Sequence, residues 1–116
     1  MKMDKKREKL DNAVTLLKLL SHPVRLSILC NLLHNGEMSV SEIVDAEDGA
    51  AGQSQISQFL GKMKSEDLVK TRKEAQTVFY QLKSPEAKKV VQALYDIYCG
   101  KSYAIGQEND DGKVFF

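Results

Sequence analysis

Two thiols, two imidazoles and a run of side-chain amides and hydroxyls are the groups in this chain with chemistry to offer. The thiols are Cys30 and Cys99, and the imidazoles are His22 and His34. A thiolate attacks electrophilic sulfur, and two thiols that meet can close a disulfide or share a soft metal. A closed zinc site needs four ligands, and nothing in the spacing of these four residues brings them together. Cys30 and His34 stand one helical turn apart, as a nucleophile and its base could, yet no oxyanion-hole or substrate-binding pattern accompanies them. Gly49-Ala-Ala-Gly52 lacks the Lys-Ser or Lys-Thr pair of a phosphate loop. No enzyme and no cofactor is expected. The amides and hydroxyls lie in the stretch from Gly52 to Val69. There Ile56, Leu60 and Met63 repeat with the i, i+4, i+7 spacing of a buried helical stripe. Gln53, Ser54, Gln55, Ser57, Gln58 and Lys62 fall on the other side. Such side chains can donate to and accept from base edges in a DNA major groove, although an ordinary amphipathic helix has the same pattern.

The elements that would position these groups follow from the rest of the chain. With 116 residues, 42% of them hydrophobic, the chain suits one domain with a modest core. A net charge of +1 hides strong local imbalance. Seven Lys or Arg face three acids over residues 1–25, five face two over 62–73, and five acids with no base occupy 37–48. No apolar run is long enough for a secretory signal or a membrane span, so a cytoplasmic protein with its cysteines as thiols is expected.

Periodicity predicts a flexible charged segment over 1–9, a folded domain over 10–100 and a flexible tail over 101–116. Within the domain, Leu10 to Leu20 reads as a helix with Leu10, Ala13, Val14, Leu17 and Leu20 on one side and Leu16 and Leu19 on another. Two apolar sides suit a helix with a partner, or one that is deeply packed. Pro23 fits the first turn of a second helix reaching His34, closed by Asn35-Gly36. Ser41 is the expected cap of a third helix ending near Glu47, and Asp48 to Gly52 a turn. The polar-faced fourth helix runs from Gln53 to about Lys64. Leu68–Arg72 and Thr77–Leu82 alternate as strands around a polar link, Lys73 to Gln76. Ser84-Pro85 opens a last helix carrying Ala87, Val90, Val91, Leu94 and Ile97 or Tyr98. Two short helices around a turn, followed at once by a hairpin, predict a mainly α (α+β) winged helix-turn-helix of order α-α-α-α-β-β-α.

Three segments carry a resemblance. Leu20-Ser-His-Pro-Val-Arg-Leu-Ser-Ile-Leu-Cys30 resembles the opening of the second helix in the ArsR family of bacterial repressors. Gln53-Ser-Gln-Ile-Ser-Gln-Phe-Leu60 resembles that family's recognition helix, and Leu68 to Tyr80 its wing. Cys30 at the end of Ile-Leu-Cys, with Cys99 closing Ala-Leu-Tyr-Asp-Ile-Tyr-Cys, is similar to the HlyU, BigR and SqrR group. That group pairs two cysteines and responds to reactive sulfur species or oxidants. The chain departs from the family pattern in a turn about two residues longer before the recognition helix, with no large apolar anchor. It also has Phe59 where many relatives have His.

The resemblance implies a homodimer formed by the first and last helices, bound to a pseudo-palindromic double-stranded DNA operator. It implies base contacts from Ser54, Gln55, Ser57 and Gln58, with Gln53 and Lys62 alongside. It implies backbone or minor-groove contacts from Arg72, Lys73 and Gln76, and a redox switch at Cys30 and Cys99 that makes the protein a repressor or an anti-silencer. Two alternatives stay open. One is the metal-responsive repressor of the wider family, although residues 40–46 carry no Cys and the last helix no His. The other is a constitutive DNA-binding protein whose cysteines are small buried hydrophobes.

Overall fold

The computed structural model describes residues 2–98, with side chains from residue 5 onward. The first helix, α1, spans Lys2–Leu20, and the second, α2, spans Pro23–Asn35. The two meet at 98° across Ser21-His22. A two-residue strand β1 (Met38–Ser39) leads into α3 (Val40–Glu47), and a turn leads into α4 (Gln53–Ser65). The hairpin is β2 (Val69–Glu74) and β3 (Thr77–Leu82), and α5 (Pro85–Tyr98) closes the described chain. β3 lies between β1 and β2 in an antiparallel sheet, with Met38 opposite Tyr80 and Arg72 opposite Phe79. This is the winged helix expected from the sequence, with β1 as a third, very short strand.

Several boundaries differ from expectation for identifiable reasons. α1 begins at Lys2, so the helix takes in residues 2–9 ahead of the expected start at Leu10. Lys, Arg and Glu are good helix formers, and nothing between Lys2 and Leu10 breaks the helix. Ser39, not Ser41, caps α3. The Glu42 amide donates to Ser39 Oγ at 3.2 Å and Glu42 Oε1 accepts from the Ser39 amide at 2.9 Å, a reciprocal capping box that Ser41 has no Glu or Gln to form. The hairpin link is only Ala75-Gln76, because β2 extends to Glu74, and Ala75 takes a left-handed φ of 56° to close it. The expected tail, residues 101–116, lies outside the described residues, as do Cys99 and Gly100.

His22 caps α2, its Nδ1 accepting from the Val24 amide at 3.1 Å, and Ser84 Oγ caps α5 through the Ala87 amide at 3.0 Å. The core runs through every element. Ile28, Leu29 and Leu32 of α2 meet Ile43 of α3, Ile56, Leu60 and Met63 of α4, Val69 and Leu82 of the hairpin, and Ala87 and Val91 of α5. Ala51 is buried in the turn before α4.

Among the described residues one carboxyl side chain is inside. Glu47, at the end of α3, is 7% exposed, and its Oε2 accepts from Ser27 Oγ at 3.0 Å and Asn31 Nδ2 at 3.2 Å. Burial pushes its carboxyl above the usual range, and the two hydrogen bonds only partly oppose this. The unfolded chain ionises at the ordinary, lower pKa. Folding therefore loses stability as pH rises from that ordinary value through the raised one, and stays level above it. Glu47→Gln keeps an oxygen for both donors and removes the buried charge. It is expected to stabilise the fold at pH 7 by roughly 1 kcal/mol. Urea unfolding from pH 4 to 8 should show the gain at neutral pH and its disappearance toward pH 4.

Candidate nucleic-acid interface and thiol site

Along α4 the two faces separate cleanly. Ile56, Leu60 and Met63 are each 0% exposed, whereas Gln53, Ser54, Gln55, Ser57, Gln58 and Lys62 are all exposed. The buried stripe locks the rotation of the helix, since withdrawing any of these side chains would cost about 2–5 kcal/mol. The polar side chains are thus aimed by the core and not by one another. Gly52 caps the helix without a side-chain hydrogen bond. At the other end Asp67 turns left-handed at φ 62° and the Leu68 amide bonds to Met63 O at 2.9 Å. This closure is of the Schellman type and leads straight into β2. Lys62 also faces Glu66 at 3.8 Å, a loose exposed pair.

In the wing, the structure divides residues that the sequence grouped together. Lys73 and Gln76 are exposed near the hairpin tip, and so is Lys70 below them. Arg72 is occupied. Its Nε and Nη2 donate to the two carboxylate oxygens of Glu37 at 2.7 and 2.9 Å, its Nη1 donates to Glu74 at 3.0 Å, and its guanidinium lies 4.8 Å from the centre of the Phe79 ring. The Arg72 guanidinium holds the Glu37 carboxyl below the usual carboxylate range. Arg72 therefore ties the edge strand across β3 to the segment before β1. The pairing with Glu37, 35 residues away, was not readable from spacing.

Cys30 is 1% exposed in α2, among Ile28, Leu29 and Leu32. Arg25, earlier on the same helix, points to the end of α1, donating to Leu19 O at 2.9 Å and Lys18 O at 3.1 Å. Cys99 follows the last described residue, Tyr98, so its pairing with Cys30 lies outside the described residues. Among the described residues no group of three or more His, Cys, Asp or Glu converges as metal ligands do. His34 is exposed near the end of α2.

Large apolar side chains remain uncovered on two helices. Leu10 (60%), Val14 (46%) and Leu17 (58%) stand out from α1, and Ile97 (54%) and Tyr98 (62%) from the end of α5. The inward residues of α1 are Leu16, Leu19 and Leu20, so the helix does carry two apolar sides, but Leu20 lies on the inner one and not with Leu10, Val14 and Leu17 as its spacing suggested, because the helix ends there against the core. No single helix among the described residues is long and apolar enough to cross a membrane.

No family model matches the chain. It is similar to the transcriptional activator HlyU of Vibrio cholerae, with 47% identity over 87 residues, 75% of this chain and 78% of that protein. It is 39% identical over 99 residues to the biofilm growth-associated repressor of Xylella fastidiosa, covering 85% of this chain and 82% of that one. The solved structure of reduced HlyU from Vibrio cholerae superposes with a TM-score of 0.75 at 43% identity, over 82% of this chain and 97% of that one.

Proposed function

The chain belongs to the ArsR/SmtB family of winged-helix transcriptional regulators, and we propose that it is a homodimeric, sequence-specific DNA-binding regulator switched by its two cysteines. The observation that carries the DNA reading is the exposed amide and hydroxyl face of α4, fixed in rotation by three fully buried side chains. Ser54, Gln55, Ser57 and Gln58 enter the major groove and read base edges, while Gln53 and Lys62 lie along it. Lys73 and Gln76 follow the phosphate backbone or minor groove, with Lys70 beside them. Arg72 shapes the wing, and its contact with DNA is secondary. The uncovered faces of α1 and α5 form the dimer, and two-fold symmetry then demands two half-sites separated by one helical turn of DNA or a multiple.

The switch uses thiol chemistry. A thiolate takes a sulfane sulfur from an inorganic polysulfide, leaving the polysulfide one sulfur shorter and the cysteine as a persulfide. Two such persulfides condense to a trisulfide and release hydrogen sulfide. A direct disulfide needs the two Cα atoms within about 4.4–6.8 Å, and the longer bridge relaxes that limit. Cys30, being buried, is the slower nucleophile, so Cys99 reacts first. The bridge joins α2 to the end of α5, tying the reading half to the dimer interface, and selects a dimer shape whose two α4 helices no longer fit successive grooves. Support comes from a relative whose structure is known in a form described as reduced. Relatives include both an activator and repressors, consistent with either a repressor or an anti-silencer role here. The burial of Cys30 favours a second reading, constitutive DNA binding with a structural cysteine. Mass spectrometry after polysulfide and after hydrogen peroxide separates them: the switch requires a bridged Cys30–Cys99 species reversed by a thiol reductant, and unmodified protein would leave the constitutive reading.

Wing charge gives an independent check on the DNA reading. Lys73→Ala is expected to weaken binding to all duplexes alike and to reduce the slope of log affinity against log salt by about 0.9 for each phosphate that the side chain neutralises. Arg72→Ala should change that slope little, because its guanidinium already faces two carboxylates. Binding isotherms between 50 and 200 mM salt measure both, and an unchanged slope for Lys73→Ala would place the wing tip off the DNA.

A further inference from the structure

Three helices meet at one side chain. Arg25, in the first turn of α2, donates through Nε and Nη2 to Leu19 O and Lys18 O at 2.9 and 3.1 Å. These carbonyls belong to the last turn of α1, whose acceptors lack the next turn's amides and favour a cation; Lys18 O also accepts from the Ser21 hydroxyl at 2.9 Å. The same guanidinium lies 5.5 Å from the centre of the Phe59 ring of α4. On that ring also packs His22, the cap of α2, with centroids 4.7 Å apart and planes tilted by 57°. Phe59 is half-buried and directly follows Gln58, so it sits on the edge between the buried stripe and the outer face of α4.

We propose that Arg25 and Phe59 form a joint that sets the reading helix at a fixed orientation to α1, making Arg25 a positioning residue for operator geometry. The proposal rests on the reading above, in which α1 lies in the dimer interface and α4 reads DNA. Under it, the distance and angle between the two α4 helices of a dimer depend on how each is held to its own α1. α4 packs chiefly against α3 and β2, while Arg25 of α2 links the Phe59 ring of α4 to the end of α1. An aromatic face at position 59 is needed because it accepts the cation on its face, and a planar guanidinium is needed because one rigid fork must serve two carbonyls and the ring together. Loosening the joint leaves each α4 able to read its half-site but lets the separation of the two drift.

The test uses an operator selected from random duplexes by the parent, and copies with the half-site spacing changed by one base pair. The parent is expected to prefer its selected spacing several-fold. Arg25→Gln and Phe59→Leu are each expected to lose most of that preference, with affinities for the two spacings approaching each other. Non-specific affinity and its salt slope should stay at the parental level, and the double variant should be no worse than the worse single one, as befits two residues acting as a unit. Phe59→Tyr, which keeps the ring face, should retain the preference. Should Phe59→Leu fail to fold, Arg25→Lys keeps the charge without the planar fork and carries the same expectation. Unchanged spacing preference in the variants overturns the joint, as does an equal fall in specific and non-specific affinity, which would report only a smaller folded fraction. A parent with no spacing preference overturns the dimeric DNA reading itself and the joint with it, so the parental control tells the two failures apart.

Discussion

Ser57→Ala combined with Gln58→Ala is expected to abolish most of the discrimination between operator and random DNA while leaving a folded dimer. Each base edge left unread should cost about 1–3 kcal/mol of specific affinity. The expectation follows from burial: both side chains are exposed, and neither donates nor accepts a hydrogen bond that holds the helix, whereas Ile56 and Leu60 beside them are fully buried. Truncating them should therefore leave stability within about 0.5 kcal/mol of the parent. Fluorescence anisotropy with a selected duplex and a scrambled one measures the difference. If the double variant bound the selected duplex as tightly as the parent, α4 would not be the reader.

Polysulfide treatment should release the parent from its operator, and a thiol reductant should restore binding. Cys30→Ser and Cys99→Ser should each bind DNA when reduced and should each lose the response. The two variants should differ chemically. With Cys30 1% exposed in a packed helix, Cys30→Ser should still take up sulfur at Cys99, while Cys99→Ser should be modified slowly. For a response from mostly bound to mostly free, the bridged state must weaken operator affinity by around a hundredfold, about 2.7 kcal/mol of coupling, within the usual range for linked sites. Cys30→Ser carries its own cost, since it exchanges a buried thiol for a more polar hydroxyl among Ile28, Leu29 and Leu32, and a loss of about 1–3 kcal/mol in stability is expected from burying it. Thermal unfolding of the reduced variant separates that loss from any effect on DNA. Release of either variant by polysulfide, as the parent is released, would defeat the paired-thiol mechanism.

Local chemistry made most of the fold legible. The stripe Ile56, Leu60 and Met63, the proline at the start of α2 and of α5, and the alternation through Thr77–Leu82 each act within a few residues, and each element stands where those signals put it. Misplacements came from signals of the same short range. Ser39 and Ser41 are both plausible caps by residue type, and only the Glu42 three residues after Ser39 decides between them. What could not be read was pairing across distance. Glu37 pairs with Arg72 from 35 residues away, and Arg25 reaches back to the α1 carbonyls and across to Phe59. Asn31, a polar residue inside the apolar run from Ile28 to Leu33, is buried because Glu47, 16 residues on, accepts from it.

The most direct measurement is selection of duplexes from a fully randomised pool by the purified, reduced protein. The expected result is enrichment of one motif in two inverted halves, centred about 10–10.5 base pairs apart or a multiple of that distance. A bound pool as random in sequence as the input would contradict the assignment of this chain as a sequence-reading dimer.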